Sequence, residues 1–316
     1  MPGLSPPLQL NPSLVSWLIW VPGCVFFAAV LALLVGQAGW RKYLAMTLAG
    51  LSLCAPLFAP EASVLRAAAA LYLLWTLAKV VDLSRDPVPR AATFRVVQAL
   101  VLHDLRRDRF LEVGARPRLD LSRLASAAAS LLLAVVLLHV AVFEAPGLRS
   151  PWSWLVRYGA GLGLAYFGVQ GALATFEFVY RCAGLDPAVL HRHPILSRSI
   201  GEFWGRRWNR VVGGWLFETF YRPVAARGRP RLAIFATFAG SALLHFYFTW
   251  AAVGLVWGVV MASFFLLQVP LLILERRWRQ ERWPEPLRRA WTIGWLAFTS
   301  PLFVAPTLAI LSAGFT

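Results

Sequence analysis

The sequence predicts an all-α protein, a polytopic transmembrane helical bundle of about eight spanning helices with interfacial or re-entrant helices beside them. Three observations carry this prediction. Of 316 residues, 59% are hydrophobic and only 15% are charged, whereas a soluble chain carries about 25% charged residues. Several stretches approach the roughly 20 apolar residues that cross a bilayer. Basic residues also concentrate in every second connection between those stretches, the asymmetry that membrane insertion produces.

Taken in order, the first span is expected near 13–36 (SLVSWLIWVPGCVFFAAVLALLVG), the second near 43–60 and the third near 63–81. The fourth is expected near 121–143, the fifth near 157–181, the sixth near 232–250, the seventh near 253–274 and the eighth near 290–313. Pro56, Pro60, Pro270 and Pro301 kink or end helices, which a bundle tolerates when neighbours satisfy the freed carbonyls. No Lys or Arg precedes Arg41, so the first stretch lacks the basic start of a cleavable signal and reads as a retained span. Neither an internal repeat nor a low-complexity linker interrupts the chain, and residues 1–316 read as one membrane-embedded domain.

The formal net charge of +16 raises the question of nucleic acid, since basic clusters bind phosphates. Topology accounts for the charge better. With the N-terminus outside, 28 of the 31 basic residues fall on inner loops or their flanks, leaving Arg66, Arg149 and Arg157 outside. The partners implied are membrane lipids with anionic headgroups and an anionic substrate, and no nucleic acid. The 29 arginines against 2 lysines suggest a GC-rich genome and a bacterial inner membrane. Cys24, Cys54 and Cys182 lie far apart, forming neither a metal-ligand spacing nor a disulfide framework.

Two inner segments exceed a plain turn. In FRVVQALVLHDLRRDRFLEV, Val97, Val101 and Leu105 recur at helical spacing beside Arg106 and Arg107, which predicts a helix lying in the interface. Residues 182–231 hold EFWGRRWNR and then GGWLFETFYRPV. The second run is too short and too charged to span, and reads as an interfacial or re-entrant helix lined by protein or water.

Ionisable groups inside spans are functional candidates by default. His245, in FAGSALLHFYF, lies about fourteen residues into the sixth span, roughly 20 Å from its inner end at 1.5 Å per residue. Thr237, Ser241, His245 and Thr249 share one polar stripe of that helix. The residues alone leave His245 open between an imidazole that packs the bundle and a general base, for which its ordinary pKa near 6.5 suits neutral pH. His139, the His191–His193 pair, Glu177 four residues before Arg181, and the amides of Gln170 and Gln268 all have structural readings. Glu218, in WLFETF, is a weaker site candidate. No nucleophile elbow, phosphate loop, His-Glu-x-x-His helix or dinucleotide fingerprint occurs.

PILSRSIGEFWGRRWNRVVGGWLFETFYRPV together with the downstream FAGSALLHFYF resembles the wax synthase branch of the membrane-bound O-acyltransferase superfamily. Related sterol and diacylglycerol acyltransferases carry F-Y-x-D-W-W-N in the frame filled here by Phe203, Trp204, Gly205, Arg206, Arg207, Trp208 and Asn209. The resemblance covers about residues 165–280. Plant members often place an acid after the histidine, where Phe246 stands here. The resemblance implies His245 as catalytic base and Asn209 as second catalytic residue, with Phe203, Trp204, Arg206, Arg207, Trp208 and Ser241 binding substrate. It implies acyl-CoA as co-substrate with neither cofactor nor metal, and a lipophilic long-chain alcohol as acceptor, giving a wax ester. A sterol, diacylglycerol, glycan or other hydroxylated acceptor is the nearest alternative, and a lipid or solute transporter is the alternative of another class. Arg206, Arg207 or Arg210 would meet coenzyme A phosphates on the inner side. Because Asn209 begins in an inner segment and His245 lies deep in a span, a shared site requires a cavity open to both.

Overall fold

The computed structural model describes residues 12–36, 39–59, 62–86, 88–101 and 111–313. Its helices are α1 (Pro12–Val35), α2 (Trp40–Ser52), α3 (Ala55–Phe58), α4 (Ser63–Ser84), α5 (Ala92–Leu100), α6 (Leu121–His139) and α7 (Trp152–Cys182). There follow α8 (Ile200–Glu202), α9 (Arg210–Leu216), α10 (Arg222–Ala225), α11 (Pro230–Val253), α12 (Leu255–Arg277), α13 (Glu285–Thr299) and α14 (Pro301–Ser312). A two-stranded antiparallel ladder, β1 (Leu111–Val113) with β2 (Leu185–Pro187), is the one strand pairing among the described residues, in register Glu112 to Asp186.

Among the described residues, six helices are long and apolar enough to cross a membrane: Ser16–Val35, Ser63–Ser84, Leu121–Gly147, Trp152–Cys182, Pro230–Val253 and Leu255–Arg277. The pair α13 and α14 meets the same length and apolarity only when taken together, and is bent by 46°, where Pro301 withholds an N–H and cannot continue α13. These helices make up the expected all-α polytopic bundle, with the second expected span present as a broken segment. The second expected span, 43–60, is α2 and α3 separated by a turn at Leu53 and Cys54. Its thirteen-residue first part is only about 20 Å long, short of the ~30 Å hydrocarbon core. The chain nevertheless traverses here. One apolar cluster joins Leu31 and Val35 of α1, Ala45 and Ala49 of α2, and Val80 and Leu83 of α4, so α1 and α4 end on the same side. At the break itself, the Leu53 carbonyl accepts from the Tyr247 hydroxyl of α11 at 2.6 Å.

Local chemistry sets the helix ends. Asp120 accepts from the Arg123 N–H at 3.1 Å and caps α6. The Ser122 hydroxyl, that N–H and nearby arginines hold the Asp120 carboxyl below the usual range. Pro230 opens α11 where no N–H is needed, and Gly254 at φ 96° closes it. At Gly36, after α1, the Arg95 guanidinium occupies the space a Cβ would fill. From there its Nε donates to the Ala32 carbonyl at 3.1 Å, a cation on helix-terminal carbonyls. A helix, α5, forms over the first part of the expected interfacial stretch but ends at Leu100 with Val101 extended, while Leu105, Arg106 and Arg107 lie outside the described residues.

Two pairings orient the bundle around the site. Arg66 near the start of α4 donates to Ala252 near the end of α11 at 2.7 Å. Further along α4, Trp75 meets Trp215 at 5.8 Å, Trp215 meets Phe220 at 5.8 Å, and the Phe220 ring lies against Gly240. Hence α4 runs antiparallel to α11. Ile200 packs with Ile234 and Phe238 of α11 and Leu271 and Leu272 of α12, which seats the segment after residue 200 against both helices.

Candidate active site

The segment carrying the FWGRRWN frame is pinned from several sides. Ser199 accepts from the Glu202 N–H at 2.8 Å, starting α8, and buried Glu275 of α12 accepts from the Ile200 N–H at 2.7 Å. Residues 203–207 then form a single π-helical turn, wider than an α-turn and frequent at functional sites. Its closing bond runs from the Trp208 N–H to the Phe203 carbonyl at 2.8 Å. Arg207 donates Nε to Glu202 at 2.7 Å and a terminal nitrogen to the Arg192 carbonyl at 3.0 Å. Burial alone would raise the Glu202 carboxyl, but the Arg198 N–H and the Arg207 guanidinium outweigh it, so its pKa lies below the ordinary value.

Asn209 follows in the left-handed region, φ 33° and ψ 67°, a conformation asparagine tolerates better than most residues. It is the N-cap of α9: its Oδ1 accepts from the Val212 N–H at 3.4 Å. With the carbonyl end so engaged, the Nδ2 donor has no protein acceptor among the described residues. From α9 the chain runs through a second π turn, 217–221, into α10. This is the short non-spanning helix expected of GGWLFETFYRPV.

His245 is deep in α11. Its Nδ1 lies 2.8 Å from the Ser241 carbonyl, a group that can only accept. The proton therefore sits on Nδ1, and Nε2 is left with a lone pair. The Phe265 ring of α12 packs against the imidazole, tilted by 33° with centroids 3.9 Å apart. An aromatic chain links this ring to the frame, through Phe265 to Trp204 at 5.8 Å and Trp204 to Trp208 at 6.2 Å. Trp204 is held by Gln268, whose side-chain oxygen accepts the indole N–H at 3.2 Å while its amide donates to the Phe264 carbonyl.

One cavity of about 1340 Å³ connects these groups. His245, Ser241 and Thr237 line it from α11, and Asn209, Phe203, Trp204 and Trp208 from the frame. The required common cavity is thus present. Thr249, last of the expected polar stripe, is buried outside the lining. Arg206 and Arg207, the frame's two arginines, are also outside the lining; Arg210, just after the frame, reaches it, with a terminal nitrogen donating to the Val189 carbonyl at 2.7 Å. Glu218 lines the cavity and is paired with Arg222 at 2.8 Å.

Residues 188–267 match the membrane bound O-acyl transferase family. This bears out the resemblance read from the frame and the histidine helix, and the family segment contains both Asn209 and His245. Over 60 residues the chain is 40% identical to a long-chain-alcohol O-fatty-acyltransferase of Simmondsia chinensis, covering 19% of this chain and 17% of that protein. Over 88 residues it is 34% identical to acyl-CoA–sterol O-acyltransferase 1 of Arabidopsis thaliana, covering 25% and 26%. A longer match, 27% identical over 159 residues and 45% of each chain, is to probable long-chain-alcohol O-fatty-acyltransferase 6 of Arabidopsis thaliana. The chain thus aligns with less than half the length of these curated relatives.

The family segment does not enclose the cavity alone. Trp75, Lys79 and Arg85 of α4 and Tyr166 of α7 line it as well. The sequence carried a signal for one of these, since Lys79 falls inside the third expected span, where an ionisable group is a functional candidate. His191, just upstream of the frame, is 2% exposed and wedged between the Trp208 ring at 4.8 Å and the Tyr166 ring at 5.3 Å. Burial, with a smaller push from His193, lowers its pKa to about 4, so it is neutral at physiological pH.

Proposed function

We propose that the protein is an integral membrane O-acyltransferase that moves a fatty acyl group from acyl-CoA to the hydroxyl of a long-chain alcohol, giving a wax-type ester. The observation that carries this reading is that His245, whose Nδ1 meets the Ser241 carbonyl, and Asn209 line one apolar-walled cavity. A hydroxyl is a weak nucleophile until a base takes its proton during attack. In this reading Nε2 of His245 accepts the alcohol proton as the alcohol oxygen bonds to the thioester carbonyl carbon. The carbonyl oxygen gains negative charge, which the Asn209 Nδ2–H is suited to stabilise as a neutral donor. The carbon–sulfur bond then breaks, and the imidazolium returns its proton to the departing thiolate, releasing free coenzyme A and ester. Part-buried His245, held by the Ser241 carbonyl and packed against Phe265, meets the need for a fixed base.

A long-chain alcohol is favoured as acceptor because relatives with that substrate in their names recur among the matches. A sterol is the second acceptor to test, since another relative is named for sterol transfer. The inner placement of the basic loops puts coenzyme A on the cytoplasmic side, in a bacterial inner membrane by the arginine-to-lysine bias. Purified protein incubated with labelled acyl-CoA and a panel of alcohols and sterols should form ester. His245→Ala should lower kcat by about 10²–10⁴-fold, the usual contribution of a positioned general base. Ester formation indifferent to that change would sink the assignment.

A further inference from the structure

The matched family segment begins at residue 188, yet one wall of the cavity comes from α4, far upstream. Among the described residues Lys79 is the largest fully buried side chain, 1% exposed, with its ammonium 5.4 Å from the centroid of the Trp75 ring. Asp82 and Arg85 continue the lining along the same helix. Because α4 is antiparallel to α11, these residues step away from the level of His245. Along α4, Lys79 is about one turn beyond Trp75, and Arg85, at its C-cap, lies roughly 9 Å further along the axis. At that same end Arg276, in the last turn of α12, lines the cavity from another wall. Arg207 of the FWGRRWN frame is by contrast spent on Glu202 and backbone carbonyls.

We propose that Lys79, Arg85 and Arg276 hold the phosphates of the acyl donor, setting its nucleotide at the basic end of the cavity and directing its thioester toward His245. This rests on the acyl-CoA reading of the site. The chemistry fits each position. Arg85 and Arg276 are exposed at the mouth, where planar guanidinium groups bind phosphate oxygens bidentately. Lys79 is deeper, a point charge against an aromatic face with apolar walls around it, where an anion is attracted more strongly than in water. The lining's carboxylates are Glu218, paired with Arg222, and Asp82, so Lys79, Arg85 and Arg276 together leave a positive excess at this end that draws a multiply charged donor inward.

The exposed arginines carry the test, since Lys79→Met risks the fold. Arg85→Gln/Arg276→Gln should raise KM for acyl-CoA roughly tenfold or more at unchanged kcat, the loss of charge-assisted bonds worth about 1.5 kcal/mol or more. With a phosphate-free acyl thioester as donor, KM should be the same in variant and parent. Arg227→Gln, an exposed arginine outside the cavity, should leave both donors unaffected. Equal KM for acyl-CoA in parent and double variant, or an equal rise with both donors, would overturn the proposal. A binding measurement separates this from the reading of the site. Coenzyme A should bind the parent more tightly than pantetheine and lose that advantage in the double variant, even if no acceptor yields ester. Equal affinity for coenzyme A and pantetheine in the parent would count against the phosphate grip.

Discussion

Asn209 has two separable tasks. Its backbone sits at positive φ and its Oδ1 caps α9, while Nδ2 is the group available to a substrate. Substitution by glycine keeps the conformation, because glycine enters the left-handed region without penalty, but removes the amide. Asn209→Gly and Asn209→Ala should therefore both lose about 10²–10³ in kcat, as removal of an oxyanion donor does, with Asn209→Ala the less stable protein. Near-normal turnover in Asn209→Gly would reduce the residue to a backbone role. His191 makes a different prediction. Its folded pKa of about 4 lies below the unfolded value near 6.5, so the unfolded state binds more protons between those values. Stability contributed by the neutral ring is complete above about pH 6.5 and falls as pH drops toward 4. Thermal unfolding in detergent should show that loss, and His191→Phe should flatten it over the same window.

At the scale of elements, α12 steadies the site by reaching across to the frame. Gln268 fixes the Trp204 indole, and Glu275 caps Ile200. Gln268→Leu leaves a part-buried indole N–H without its acceptor, a loss of about 1–3 kcal/mol. The variant should melt several degrees lower and turn over more slowly, because Trp204 touches the Phe265 that packs against His245. The histidine helix and the FWGRRWN frame were legible because their polar groups stand out in apolar surroundings. The break after α2 was less so: apolar composition runs through Leu53, Cys54 and Pro56, and a hydropathy average cannot see a turn. Nor could sequence show that Arg207 is consumed by Glu202. An arginine's partner depends on the fold around it, and the π turn that brings the two together has no recognised spacing.

For the whole molecule, the side on which the charges gather fixes a measurable orientation. Arg123, Arg181 and Arg276 sit at helix ends on the basic side together with exposed Cys182, while exposed Glu144 lies at the opposite end of α6. A membrane-impermeant thiol reagent applied to sealed cells should label Glu144→Cys and spare Cys182, and the reverse pattern would invert the topology. The basic clusters made this arrangement readable, since insertion depends on summed charge in short loops. Cavity walls were not readable in the same way, because helices distant in sequence meet only in the folded bundle. The antiparallel seating of α4 on α11 divides the enzyme's labour unevenly along its gene. The matched stretch, 188–267, contains His245 and Asn209, while Trp75 and Lys79 arrive from more than a hundred positions earlier. A chimera that exchanged only the matched stretch between two relatives would transplant chemistry into a foreign mould, with donor and chain selection still following the parent that supplied α4.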